Sequence, residues 1–107
     1  MLSNSELFSL EGKISVVIGG GGHICSALAY GFASAGSKVV VADLRLEKAQ
    51  IVASAIESEY GVATLAVEAD ASSKKSLEQL LLETTSVFGN VDVLVNGAGI
   101  NSPKPFL

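Results

Sequence analysis

An α/β domain built on a doubly wound parallel sheet is the fold class this sequence predicts, and three observations predict it. Four short, nearly all-apolar runs alternate with three longer stretches of helical period. Four consecutive glycines, Gly19 to Gly22, close the first run. An aspartate, Asp43, closes the second. Strands that are apolar at every position are covered on both faces, as helices cover a parallel sheet.

The runs are "ISVVI" (Ile14 to Ile18), "KVVVA" (Lys38 to Ala42), "ATLAV" (Ala63 to Val67) and "VDVLV" (Val91 to Val95). Between them, Ile24, Ala27, Leu28, Gly31, Phe32 and Ala35 keep the three-and-four spacing of one helix face. Leu46, Ala49, Ala53, Ile56 and Tyr60 do so in the second stretch, and Leu77, Leu80, Leu81, Thr84, Val87 and Phe88 in the third. Gly36, Gly61 and Gly89 stand where the three helices should stop, and Ser72 or Ser73 is placed to cap the third at its start. The order β-α-β-α-β-α-β requires right-handed crossovers. A nucleotide-binding half of this kind sets its strands in the order 3-2-1-4. The fourth run would then carry an outer edge of unpaired backbone groups, which natural domains usually cover. More chain, or another subunit, is expected to cover it.

Composition bounds the function. The chain has 107 residues, 49% of them apolar and 17% charged, with a formal net charge of −4. One domain is expected, with no transmembrane span, since no apolar run approaches the roughly 18 residues a helix needs to cross a bilayer. The basic residues are scattered, so nucleic acid is not an expected partner. "MLSNSELFSLEGK" shows no basic start followed by an apolar stretch, and a cytoplasmic location follows as the expectation. The single cysteine rules out an internal disulfide.

The glycine turn carries the chemistry. Gly19 allows a sharp turn, Gly20 to Gly22 let backbone approach a ligand, and a helix beginning near Ile24 aims its free N–H groups and positive end at the same place. A pyrophosphate suits it. Strict G-x-G-x-x-G spacing would need glycine at position 24 and meets Ile24. Asp43 follows about twenty residues after the turn, where a carboxylate accepts hydrogen bonds from an adenosine ribose and repels a 2′-phosphate. NAD is the expected cofactor and NADP is disfavoured. Asp43 is equally able to start the next helix. Arg45 reads as a solvated first-turn side chain.

These stations resemble the short-chain dehydrogenase/reductase family over almost the whole chain: "GKISVVIGG" from Gly12, "ICSALAYGFASAGSKVVVADL" from Ile24, "EAD" ending at Asp70, and "GNVDVLVNGAGI" from Gly89. The resemblance implies a Rossmann-type fold and hydride transfer between a nicotinamide and an alcohol or ketone, a small-molecule substrate. It implies that Asn96, Gly97 and Ala98 line the cofactor near its nicotinamide end, with Gly97 standing where the family has asparagine. It implies that Asp70, with Ala71 beside it, contacts the adenine ring. The cofactor set expected on this basis is Gly19, Gly21, Gly22, His23, Ile24, Asp43, Leu44, Asp70, Ala71, Asn96, Gly97 and Ala98.

Two departures stand out. The family turn Thr-Gly-x-x-x-Gly-Ile-Gly falls on Ile18 to Cys25, so His23 and Cys25 replace family glycines. A side chain at 23 is expected to crowd the phosphate, and one at 25 to push the helix off the strand unless the small cysteine is absorbed as a packing residue. A His-x-Cys metal site is disfavoured, because no second histidine or cysteine exists. A redox-active thiol at the helix start is the less favoured reading of Cys25.

Catalysis is the second departure. The resemblance implies a Tyr-x-x-x-Lys pair with a serine, but Tyr30 and Tyr60 are followed four residues on by Ser34 and Thr64. The chain therefore reads as one NAD-binding domain over 1–107, the N-terminal portion of a longer family domain, and as inactive alone. A homo-oligomer is implied for the full-length protein. Two alternatives stay open: a non-catalytic nucleotide-sensing or scaffold module, and an S-adenosylmethionine-dependent methyltransferase. The latter usually closes its first strand with an acid, where Ile18 stands here.

Overall fold

The computed structural model describes residues 9–97. In chain order it runs β1 (Ile14–Ile18), α1 (His23–Ser34), β2 (Lys38–Asp43), α2 (Leu46–Tyr60), β3 (Thr64–Glu68), α3 (Lys74–Val87) and β4 (Val93–Asn96). The strands form one sheet in the order β3-β2-β1-β4, every neighbouring pair parallel. Each strand lies within two residues of its expected bounds.

Alternation along the strands splits the core in two. Val17, Val39 and Val41 face α1 and α2, packing with Cys25, Ala29, Ala33, Ala49, Ala53 and Ile56. Val16, Ile18, Val40, Ala42 and Val67 face the other way, toward Leu80 of α3. All five residues of β1 are buried, as expected of a strand hydrogen-bonded on both sides and covered on both faces. The one polar member, Ser15, shares a buried hydrogen bond of 2.8 Å with Ser37, whose hydroxyl also lies 2.7 Å from the Lys38 carbonyl oxygen. Among the described residues no buried side-chain polar atom lacks a partner.

The helix ends fall as expected. Gly61 closes α2 in the left-handed region, φ +70°, and Gly36 and Gly89 follow the other two helices. Of the two candidate caps for α3, Ser73 is the one used: its Oγ accepts from the Ser76 N–H at 3.2 Å. At the start of the sheet, the Asp92 carboxylate accepts the Ile14 N–H at 2.9 Å, tying the approach to β4 onto β1.

The α1 face is corrected by the structure. The helix buries Cys25, Ala29 and Ala33, whereas Ile24 is 51% exposed and Leu28 38%. The expected stripe is thus turned by one position. The cause is steric: a helix lying close over valines needs small residues at its contact line, and Cys25, Ala29 and Ala33 recur every four residues. The third helix is a milder case. Leu80 and Thr84 are buried, Leu77 and Phe88 pack against the core, and Leu81 and Val87 are exposed.

Candidate functional site at the carboxyl edge of the sheet

Parallel register puts four strand ends side by side. Ile18 pairs with Ala42 and with Asn96, and Asp43 pairs with Glu68. In open α/β sheets, ligands bind at this edge, at the point where the strand order reverses. Here that point lies between β1 and β4.

The glycine turn crosses the edge. Gly19, at φ +83°, sends its N–H to the Ala42 carbonyl at 2.7 Å, and the Gly20 N–H reaches the same oxygen at 3.0 Å. The Gly22 N–H closes back on the Gly19 carbonyl at 3.0 Å. Gly22 is the N-cap of α1 and has no side chain to offer, and the first intrahelical bond runs from the Ser26 N–H to the Gly22 carbonyl at 2.8 Å. The N–H groups of His23, Ile24 and Cys25 therefore have no acceptor within the helix. They lie at its positive end, the arrangement that receives phosphate oxygens.

Glycine is required at 20 and 21 by the protein's own chain. A Cβ on Gly20 would stand 2.7 Å from Val41 Cγ1, and one on Gly21 would stand 2.7 Å from Lys48 Cβ and 2.8 Å from Asp43 Oδ2. These two residues let the turn lie down on β2 and α2.

Asp43 has two backbone partners. Its Oδ2 accepts the Gly21 N–H at 2.9 Å and its Oδ1 the Arg45 N–H at 3.0 Å. It thus holds the glycine turn and the backbone that leads into α2 at the same time. Arg45 turns away to Glu47, Nε to Oε1 3.1 Å, with both side chains largely exposed, as the sequence suggested.

Beside this turn lies a cleft of about 410 Å³. Of the expected residues, Gly19, Gly22, Asp43, Leu44, Asp70, Ala71 and Gly97 line it. Gly21 lies beneath, held by Asp43. His23 and Ile24 are exposed at the first turn of α1, and Asn96 is exposed at the end of β4. Gly97 is buried and donates to the Ile18 carbonyl at 2.9 Å. Ala98 lies outside the described residues. Four lining residues went unread in the sequence: Ile18, Lys48, Ala69 and Ser72. Ile18 ends a strand and Ala69 follows one, which is the usable signal for them. Lys48 sits in the first turn of α2, and Ser72 reads in the sequence only as a candidate cap.

Charge in the cleft is set locally. Asp70 Oδ1 accepts the Ser72 hydroxyl at 2.6 Å and the Ser72 N–H at 2.9 Å, and these bonds hold its carboxyl below the usual carboxylate range. The Asp70 N–H is itself held by Ser76 Oγ at 2.9 Å. Cys25 is fully buried, and burial, with the nearby Asp43 charge second, pushes its thiol pKa up. That favours the packing reading of Cys25, since an activated thiol is a depressed one. His23 is exposed while Cys25 points into the core, and among the described residues no three metal-ligating side chains gather. No helix among them is long and apolar enough to cross a membrane.

The two tyrosines serve each other. Their rings meet edge to face, centroids 6.2 Å apart, between α1 and the far end of α2. Tyr60 ends a helix whose first turn is at the cleft, roughly 20 Å along its axis.

Strand order, glycine turn and cleft together define a Rossmann-type α/β protein. The family model described as short chain dehydrogenase matches residues 13–107, and the chain belongs to that family. It is similar to the 7alpha-hydroxysteroid dehydrogenase of Escherichia coli K12, 38% identical over 103 residues, which cover 96% of this chain and 40% of that protein. The crystal structure of hydroxysteroid dehydrogenase from Escherichia coli superposes with a TM-score of 0.84 at 37% identity, over 96% of this chain and 43% of that one. An L-sorbose reductase from Gluconobacter frateurii, solved with NADPH and L-sorbose, gives 0.84 at 28% identity, over 92% of this chain and 38% of its own. The NADP complex of Pseudomonas aeruginosa RhlG gives 0.75 at 31% identity, over 83% of this chain and 35% of its own. The chain spans 40% or less of the length of the curated relatives it matches. These matches favour neither the methyltransferase nor the scaffold alternative.

Proposed function

We propose that this chain is the NAD-holding portion of an oxidoreductase that moves a hydride between the nicotinamide and an alcohol or carbonyl carbon. The observation that carries the reading is convergence: the uncapped start of α1, the carboxylate of Asp43 and the Asp70–Ser72 segment surround one cleft at the carboxyl edge of the sheet. The donor set suits a dinucleotide. Backbone N–H groups at the head of α1 receive the diphosphate, Asp43 takes ribose hydroxyls on its remaining lone pairs, and Asp70 and Ala71 border the base. Asn96, Gly97 and Ala98 are assigned to the nicotinamide side. When bound, the cofactor supplies the hydride acceptor or donor.

NAD is favoured over NADP because a 2′-phosphate beside Asp43 would meet a like charge. The NADP(H) carried by two of the similar structures supports a nicotinamide cofactor and makes its phosphorylation state the point to test. The acid-base group is assigned outside residues 1–107, because neither tyrosine here begins a Tyr-x-x-x-Lys pair. Residues 1–107 are on this reading a single dinucleotide-binding unit, the N-terminal portion of a longer domain. The parent protein acts on a small alcohol or ketone as a homo-oligomer in the cytoplasm, a reducing setting that suits the unpaired thiol of Cys25.

Calorimetric titration with NAD and NADP tests the reading. NAD should bind more tightly, and Asp43→Ser should narrow the ratio of the two affinities by about tenfold, the net worth of one charge-assisted hydrogen bond. An unchanged ratio refutes the ribose assignment. Absence of binding by either dinucleotide refutes the function.

A further inference from the structure

Asp43 faces two ways. Its Oδ2 lies 2.9 Å from the Gly21 N–H, 22 positions back in the chain, while its Oδ1 takes the Arg45 N–H at 3.0 Å. The first bond ties the carboxyl end of β2 to the middle of the glycine turn. The second fixes the carboxylate's own rotamer by anchoring it to the start of α2. Gly21 is pressed so closely between Asp43 and Lys48 that a Cβ there would fall within 2.8 Å of both. The segment between the sharp bend at Gly19 and the N-cap at Gly22 is therefore held from the side by one carboxylate. No other side chain holds the turn in this way among the hydrogen bonds of residues 19–22.

We propose that Asp43 is a positioning residue for the diphosphate as well as a ribose acceptor: it latches Gly21, and so sets where the N–H groups at the head of α1 point. The inference rests on the dinucleotide reading above. It adds a role that ribose recognition does not require. A carboxylate that only reads the ribose has no influence on a ligand lacking ribose, apart from its charge. Its negative charge lies near the diphosphate, so removing it should leave binding of a bare diphosphate unchanged or improve it. A latch has the opposite sign. Once the latch is gone, the turn samples other conformations, and a ligand must first select the competent one, which lowers its apparent affinity.

Inorganic pyrophosphate separates the two roles. Affinities of the wild-type chain, Asp43→Asn and Asp43→Ala for pyrophosphate and for NAD are measured by calorimetry at fixed salt. Asparagine and alanine both remove the charge, but only asparagine keeps an oxygen able to accept the Gly21 N–H. The expected result is that Asp43→Ala binds pyrophosphate about tenfold more weakly than Asp43→Asn, while Asp43→Asn binds it at least as well as wild type. Circular dichroism of both variants establishes that the comparison is between folded proteins. Should Asp43→Ala not fold, the wild type carries the test through its Gly21 amide. Slow hydrogen exchange at Gly21 in the ligand-free wild type supports the latch, and exchange as fast as in an open turn overturns it. Equal pyrophosphate affinities for the two variants overturn the latch and leave the dinucleotide reading standing. Tighter binding by Asp43→Ala shows that Asp43 competes for the Gly21 N–H, which also overturns it. Failure of the wild type to bind either NAD or pyrophosphate removes the function and this inference together.

Discussion

Restoring the family glycine at position 25 should make the protein less stable. Cys25 is fully buried among Val17, Val41 and Ala29, so Cys25→Gly removes two heavy atoms from a closed contact between α1 and the sheet. At ~0.8 kcal/mol per buried methylene-sized group, the lost burial costs about 1.5 kcal/mol. Glycine inside a helix adds roughly 0.5 kcal/mol or more through backbone entropy. Together the loss is about 2 kcal/mol, a large share of a marginal domain's stability. His23→Gly should cost only a few tenths of a kcal/mol, because His23 is exposed at the first helical position. For affinity the expectation has the other sign. With the exposed His23 side chain gone the phosphate site is uncrowded, so NAD should bind the double variant about fivefold more tightly. Urea denaturation of each single variant and the pair gives the stabilities, and calorimetry gives the affinities. A Cys25→Gly variant as stable as wild type would show that Cys25 is not a packing residue. A double variant that binds NAD no more tightly would refute the idea that His23 crowds the phosphate.

Two further outcomes follow from the site. Because burial and the neighbouring Asp43 charge raise the Cys25 thiol, iodoacetamide should label it at least about tenfold more slowly than a free cysteine peptide at pH 8 and readily in urea; rapid labelling of the folded protein would contradict its burial. Ser72→Ala removes the main hydrogen bond that lowers Asp70, so the carboxyl should titrate closer to its ordinary value in a carbon-detected NMR titration. The sign is fixed by linkage: Asp70 is depressed in the folded state, so its contribution is present above the ordinary carboxylate range and lost as pH falls through its folded pKa. A titration unchanged by Ser72→Ala would show that the hydroxyl is not what holds the proton off.

The strands were legible because each is a short apolar run ended by a glycine or a polar residue (Gly19, Asp43, Glu68 and Asn96), and burial on both faces leaves no other reading of Val16, Val17, Val39, Val40 and Val41. The carboxyl edge was legible for the same reason: Gly19, Asp43, Asp70 and Gly97 come just at or beyond strand ends, and parallel register brings those ends together without further information. The phase of α1 was not. Hydrophobic periodicity ranks Ile24 and Leu28 above Cys25 and Ala29, but contact with a flat layer of valines selects for smallness, and bulk is turned outward. Lys48 and Ser72 were missed because their place at the cleft depends on how α2 and α3 approach the sheet, which no local pattern encodes.

The glycine run shows where sequence and structure part most sharply. As a string, four glycines suggest freedom reserved for a ligand. In the fold, Gly20 lies against Val41 and Gly21 against Asp43 and Lys48, so half of that run is used to bring the turn down onto neighbouring elements. The same closeness explains how the chain holds a cysteine where its family has glycine: the Cys25 side chain, with Ala29 and Ala33, fills the narrow seam between α1 and the sheet. One carbon and one sulfur fit there, and a branched side chain at position 25 would lift the helix start away from β1 and with it the free amides at its head.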